Sequence, residues 1–280
     1  MFAFLKKKFK RFSARRVFSE YGYELKTFSF PGLGQVQYAQ WLHPLEGSKE
    51  ITQKQLDFFK SHLKPGGFAI DIGAHTGDTT VPMGLAAGKH GVVLGLEPNG
   101  YVFKILKKNA ELNPQLTNIV PLPFAATDAD GEFTFNYSDA SFCNGGFLTE
   151  IKDTHHHHNY QLKVIGKNLE KYLNENYSQQ LPKLQLIKVD AEGYDKEILK
   201  TISTTIRKYK PTLLVECYKR LNIEERHELF DVITSLGYDL YRHEGFEKME
   251  NSKIERNDMM KHPHFDIIAI PSSTSSSTQT

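Results

Sequence analysis

FAIDIGAHTGDTT, residues 68–80, decides how this chain reads. An apolar run meets an acid, Asp71, then two glycines set four apart, Gly73 and Gly77, then hydroxyl residues. That order predicts a strand, a sharp turn and a helix beginning near Asp78. The glycines permit tight turning and close approach of a ligand. The free N–H groups of the helix start favour a polar or anionic group. The next apolar run, VVLGLE, closes on Glu97, about 24 residues after Gly73, close to the ~20 expected of an acid that binds a ribose diol. A nucleoside-bearing ligand is implied.

The loop GAHTGD is neither the GxGxxG of dinucleotide sites nor a GK[ST] phosphate loop. Asp71 would repel a pyrophosphate and attract a sulfonium or an ammonium. Those requirements point to S-adenosylmethionine.

Around this turn the chain alternates. The apolar runs FAIDI, VVLGLE, NIVPLPFAA, LQLIKVD and TLLVEC each end on a small or polar residue, and helical patterns such as Val102, Ile105, Leu106, Ala110 and Ile198, Leu199, Ile202, Ile206 separate them. Continuous apolar strands between amphipathic helices predict an α/β fold whose mostly parallel sheet is covered on both faces, with ligands beyond the carboxyl ends of the strands. Near the end, NIEERHELFDVITSLG reads as a helix with Asn222 and Glu225 as a capping pair and Gly237 as its stop. YDLYRHEGF and HFDIIAIP then predict an antiparallel C-terminal hairpin. Ahead of the turn, YELKTFSFPGLGQVQYAQWLH predicts an N-terminal β-hairpin extension, followed by a helix carrying Ile51, Leu56, Phe59 and Leu63 on one side. The organisation expected is a lead-in over 1–50, a catalytic domain over 51–270 and a disordered tail over 271–280. A parallel sheet finished by an antiparallel pair resembles the class I methyltransferase sheet, a Rossmann-like arrangement.

IDIGAHTGDTT, GLEPN, AATDADGEFTF, LIKVDAEGYDKEILK and LLVEC resemble, in order and spacing, the FkbM family of S-adenosylmethionine-dependent methyltransferases. The resemblance covers roughly residues 50–270 and is most specific in IKVDAEGYDKEIL. It implies that Asp71, Gly73, Ala74, His75, Thr76 and Gly77 form the methionine-binding turn, Glu97, Pro98 and Asn99 the ribose acid and its loop, and Ala125, Ala126 and Asp128 the adenine wall. His75 stands where Asn is common, and IGKNLEKYL replaces the usual Thr and paired acids. By the same resemblance the acceptor is a hydroxyl of a sugar or other small molecule, a glycan first. A hydroxyl acceptor calls for a base, and Asp190 and Glu192, closing LQLIKVD, are the candidates. Glu216 is a third acid at that edge, and three such acids leave open a divalent cation held through oxygen. Phe142, Phe147 and Tyr160 are expected in the acceptor wall. The run His155–His158 reads as an exposed loop rather than a metal site. The competing readings are a nucleotide-linked oxidoreductase on a similar sheet and a non-catalytic module with the cofactor fold.

Composition narrows the setting. The two cysteines, Cys143 and Cys217, show neither CxxC spacing nor a disulfide framework, which fits a reducing cytoplasm. No stretch is apolar enough to span a bilayer. Residues 1–16 hold seven basic groups and no acid, leaving 28 Lys and Arg against 33 Asp and Glu elsewhere. Phe2, Leu5, Phe9 and Phe12 recur there at helical spacing, so this helix suits peripheral contact with an anionic membrane. No basic-aromatic patch recurs downstream, which argues against nucleic acid.

Overall fold

A computed structural model describes residues 2–143, 146–148, 160–246 and 252–273. The run His155–His158 and residues 274–280 of the tail lie outside them. In chain order the elements are α1 (Phe2–Arg16), β1 (Tyr23–Phe30), β2 (Gly34–Trp41), α2 (Gln53–His62), β3 (Phe68–Ile72), α3 (Thr80–Ala87), β4 (Val92–Leu96) and α4 (Gly100–Glu111). They continue through β5 (Ile119–Leu122), β6 (Ala125–Thr127), β7 (Gly131–Tyr137), β8 (Phe147–Leu148), β9 (Tyr160–Asn168), α5 (Leu169–Asn176) and β10 (Leu184–Val189). The remainder are α6 (Asp195–Thr201), α7 (Ser203–Tyr209), β11 (Thr212–Cys217), α8 (Ile223–Ser235), β12 (Tyr238–His243), β13 (Ser252–Lys253) and β14 (Phe265–Pro271).

The central sheet has the order β13-β12-β14-β11-β10-β3-β4-β5. It is parallel from β11 to β5 and antiparallel on both sides of β14. The fold is therefore the class I methyltransferase architecture expected from the sequence, with β14 inserted between β11 and β12. Every residue of FAIDI is buried, because helices cover both faces. Ile198, Leu199, Ile206, Leu229 and Ile233 of α6, α7 and α8 pack on one face, and Leu56, Phe59, Val81 and Met83 of α2 and α3 on the other. Each such side chain contributes about 2 kcal/mol by leaving water. The expected cap of α8 is present as a reciprocal pair, the Asn222 side chain accepting from Glu225 N–H and the Glu225 side chain from Asn222 N–H. Among the described residues no helix is long and apolar enough to cross a membrane.

One expected strand is two. NIVPLPFAA divides into β5, on the edge of the central sheet, and β6, which pairs in parallel with β9 in a second sheet of order β6-β9-β7-β8. Pro123 supplies no N–H to continue the ladder, and Phe124 is buried in the core. The break turns Ala125 and Ala126 toward the cavity described below.

The N-terminal hairpin forms where expected. Leu33 N–H donates to Phe30 O, with Pro31 and Gly32 between them and Gly32 at φ +78°, the arrangement of a Pro-Gly turn. Its second strand would present an open row of backbone groups. Helix α4 and the residues just past its end close that row with two asparagines four residues apart. Asn113 Oδ1 accepts from Gln37 N and Nδ2 donates to Gln37 O, both at 2.9 Å. Asn109 Oδ1 accepts from Ala39 N at 2.6 Å, while its Nδ2 donates to Ala39 O at 3.1 Å and to Thr76 O at 2.7 Å. Two amides thus play the part of a neighbouring strand and tie the hairpin to the glycine turn.

Asn109→Ala leaves three buried backbone groups without partners, so it is expected to cost about 3–9 kcal/mol at ~1–3 kcal/mol for each orphaned group. Urea unfolding checks this, and a loss below about 1 kcal/mol would show that water replaces the amide.

Candidate active site

The carboxyl ends of β3, β4 and β10 meet at the glycine turn. Gly73 has φ +76°, and a Cβ there would lie 1.9 Å from Asp190 O, so no other residue fits. Its N–H and that of Ala74 both donate to Leu96 O, at 3.1 and 2.9 Å. His75 follows in the left-handed region at φ +48°. Helix α3 starts at Thr80, slightly later than expected, because the Thr79 and Thr80 hydroxyls both donate to Asp71 Oδ2, at 2.8 and 2.6 Å.

Beyond this edge lies a cavity of about 340 Å³, within the range of small-molecule sites. Gly73, His75, Glu97, Pro98, Asn99, Ala125 and Ala126 line it, as do Asp190 and Glu192. Five expected contacts are not among its lining residues. Asp71 is fully buried within β3 and faces the two threonine hydroxyls and Lys188. Ala74, Thr76 and Gly77 form the back of the turn: Gly77 N–H bonds Ala74 O, and Thr76 Oγ1 meets Tyr38 Oη at 2.8 Å. Asp128 is exposed, and Thr127 lines the cavity beside it.

Glu97 is set by its neighbours. Its Oε2 accepts from His75 N at 3.1 Å and its Oε1 from Asn99 N at 2.8 Å. A carboxylate offers about four acceptor positions, so each oxygen keeps capacity for a ligand hydroxyl. Burial pushes its pKa above the ordinary carboxylate value, against the opposing pull of His75 and the two N–H donors. The His75 ring donates from Nε2 to Cys143 O at 3.3 Å, joining the turn to the loop that follows β7.

Two charged centres border the cavity. Lys188 Nζ lies 3.1 Å from Asp190 Oδ2 and 3.4 Å from Asp71 Oδ1. Burial disfavours its ammonium, but Asp190 and Asp71 outweigh burial and hold its pKa above the usual lysine value. The Asp190 side chain remains 45% exposed. Elsewhere on the wall Lys49 Nζ lies 2.9 Å from Asp78 Oδ2 and 3.4 Å from Glu46 Oε1. Burial favours the neutral acid at Asp78, yet Lys49, followed by His75 and Lys188, keeps its pKa below the ordinary value.

The loop after β10 is strained in the same left-handed way, with Glu192 at φ +52° and Gly193 at φ +101°. Asp195 Oδ1 accepts from Ala191 N at 3.1 Å and its Oδ2 from Gly193 N at 3.0 Å, so Asp195, not Glu192, shapes the loop. Burial, and then Asp190, raises Glu192 above the usual carboxyl range. Glu216 lies among Asp190, Asp195, Glu192 and Asp266, and burial with these charges pushes it up to about 10. Among the described residues no group of three or more His, Cys, Asp or Glu side chains is placed to hold a metal ion.

The aromatic lining also differs from expectation. Phe124, Phe135 and Tyr137 face the cavity. Phe142 instead stacks on Tyr101 at 5.4 Å and 4°, Tyr160 pairs with Tyr137 at the start of β9, and the Phe147 side chain lies outside the described residues. Sequence reasoning assigned no role to Lys188 or Lys49. A lysine inside the otherwise apolar strand LQLIKV was a usable signal, since buried lysines are rare unless paired. Lys49 sits in the lead-in, far from any motif, and gives no such sign.

Comparison with known proteins adds a family. The family model described as the methyltransferase FkbM domain matches residues 71–245. A protein-L-isoaspartate O-methyltransferase of Caenorhabditis elegans is 35% identical over 54 residues, 19% of this chain and 24% of that protein. The chain thus spans about a quarter of the length of the curated relative it matches. Among solved structures, a methyltransferase FkbM from Methylobacillus flagellatus KT is similar with a TM-score of 0.44 and 12% identity, over 77% of this chain and 50% of that one. An S-adenosylmethionine-dependent O-methyltransferase from Thermotoga maritima gives 0.43 and 11%, over 90% and 79%. With the family model matched across well over half of its length, the chain belongs to the FkbM family of S-adenosylmethionine-dependent methyltransferases.

Proposed function

We propose that the protein transfers a methyl group from S-adenosylmethionine to a hydroxyl of a small-molecule acceptor, a sugar or glycan. The observation that carries this reading is one cavity bordered both by Glu97, clamped with acceptor capacity to spare, and by the half-exposed carboxylate of Asp190. The cofactor fits these residues. Gly73 brings bare backbone to the cavity wall, Glu97 suits a ribose diol, and Ala125 and Ala126 leave space for a base beside Phe124.

When bound, the cofactor supplies an electrophilic methyl on a sulfonium, so the protein's share of the work is alignment and the acceptor's proton. Asp190 takes that proton as the oxygen attacks. Lys188, 3.1 Å away, holds the Asp190 carboxylate in place at the cavity. Glu192, raised toward its neutral form, donates to or accepts from a second acceptor hydroxyl. Phe135 offers a face on which a sugar ring stacks. The left-handed loop that aims Glu192 is consistent with strain retained at a working site.

Thermal unfolding with S-adenosylhomocysteine at a hundredfold its dissociation constant is expected to show about 2.7 kcal/mol of stabilisation. That corresponds to a midpoint rise of roughly 5–10 °C in a domain of this size. Glu97→Ala should remove the rise, and NAD should produce none; a shift with NAD alone would favour the oxidoreductase reading. With an acceptor found by screening simple glycosides against methyl-labelled cofactor, Asp190→Asn should lower turnover by roughly 10²–10⁴-fold and leave the S-adenosylhomocysteine shift intact. Unchanged turnover would remove Asp190 as the base.

A further inference from the structure

Helix α1 is built the wrong way round for a helix that serves its own core. A surface helix normally turns its apolar stripe inward. Here the side facing the body is marked by Ala14, fully buried, while Phe9 and Phe12 are 72% and 54% exposed. At 100° per residue, Phe9 and Phe12 lie nearly opposite Ala14 on the helix. Val17 and Phe18, just past its end, are 60% and 47% exposed. Lys8, Lys10, Arg11, Arg15 and Arg16 are exposed around the phenylalanines, and the Arg16 guanidinium lies 3.9 Å from the Phe12 ring centre. The helix has no acid in its first turn and ends on Arg15 and Arg16.

We propose that α1 is an interfacial helix that seats this protein on an anionic lipid surface. Exposed aromatics set among cations match a layer that is apolar below and negative above. A nucleic acid would satisfy the charges and leave Phe9 and Phe12 in water, so lipid accounts for both features. The helix is fixed to the body at its far end. Ala140 N–H donates to Arg15 O at 3.2 Å, and Ser141 Oγ donates to Val17 O and accepts from Ser19 N, both at 3.2 Å. The same loop supplies Phe142 O to Asn99 Nδ2 at 2.7 Å and Cys143 O to His75. The loop that carries α1 is therefore also a wall of the cavity, and lipid binding holds that wall toward the membrane. The lipid contact is independent of the methyltransferase reading. Its consequence, that the acceptor is one presented at a lipid surface, rests on it.

Sedimentation of the full chain with vesicles of phosphatidylcholine, with and without phosphatidylglycerol, tests the proposal. Binding is expected only to the anionic vesicles and should weaken at high salt. Phe9→Ser with Phe12→Ser should weaken it roughly tenfold or more, since each ring leaves lipid for water. Arg11→Gln and Arg15→Gln should each weaken it by roughly fivefold. Thermal midpoints should stay unchanged in all of these variants, because the altered side chains are exposed. Absence of sedimentation, sedimentation indifferent to the two phenylalanines, or tighter binding of a short RNA that survives their loss would each overturn the proposal. Loss of the S-adenosylhomocysteine shift in the parent protein would instead count against the function and leave the lipid result standing.

Discussion

A buried ion pair at the centre of the sheet organises this site. Lys188 on β10 stands in register with Asp71 on β3, both taken out of water. Burying two charges is costly, and geometry decides whether their attraction repays it. Here the partners are shared outward. Asp71 draws in the hydroxyls of Thr79 and Thr80, which fixes where the glycine turn becomes helix, and Lys188 reaches Asp190, which fixes the carboxylate at the cavity mouth. Removing Lys188 would leave Asp71 buried with only hydroxyl partners, a loss on the order of 3–5 kcal/mol. One interaction thus ties the glycine turn to the proposed base, and the close approach of Gly73 to Asp190 O is its backbone counterpart.

Two charged groups flank the cavity at the carboxyl ends of the parallel strands. Asp190, Glu192, Asp195, Glu216 and Asp266 converge at the carboxyl edge, and burial pushes several of them toward their neutral forms. Lys188 counters the charge that remains. Around the turn the balance is reversed in origin: the cation is Lys49, delivered by the segment between the hairpin and α2, with Asp78 and Glu46 as its partners. The lead-in therefore completes the cavity rather than preceding it. Asn109 and Asn113 hold it there by presenting side-chain amides to β2 as a strand would present its backbone.

Periodicity and local residue types in the sequence were enough for the alternation of strands and helices, the capped α8, the Pro-Gly hairpin and the glycine turn. These features rest on local rules: buried strands are apolar, caps satisfy the first N–H groups, and glycine permits left-handed backbone. Glu97, Asp190 and Glu192 were also legible, because a residue closing a parallel strand must face the ligand edge wherever the strand sits. The resemblance carried by IKVDAEGYDKEIL sharpened that placement into a family.

Tertiary structure decided what local rules do not encode. Whether NIVPLPFAA is one strand or two depends on which sheet each half can pair with, and only the placement of β9 makes Ala125 to Thr127 a separate strand. Whether Asp71 meets a ligand depends on Lys188, more than a hundred residues away, which claims its carboxylate inside the sheet. Whether Phe142 or Phe135 lines the cavity depends on Tyr101, which takes Phe142 as its stacking partner. The sequence by itself determined the fold class and which acids reach the open edge, because these follow from spacing along one segment. The direction in which α1 turns Phe9 and Phe12, and the cations that neutralise the buried carboxylates, were settled only by packing, because burial and charge pairing are properties of segments brought together in space.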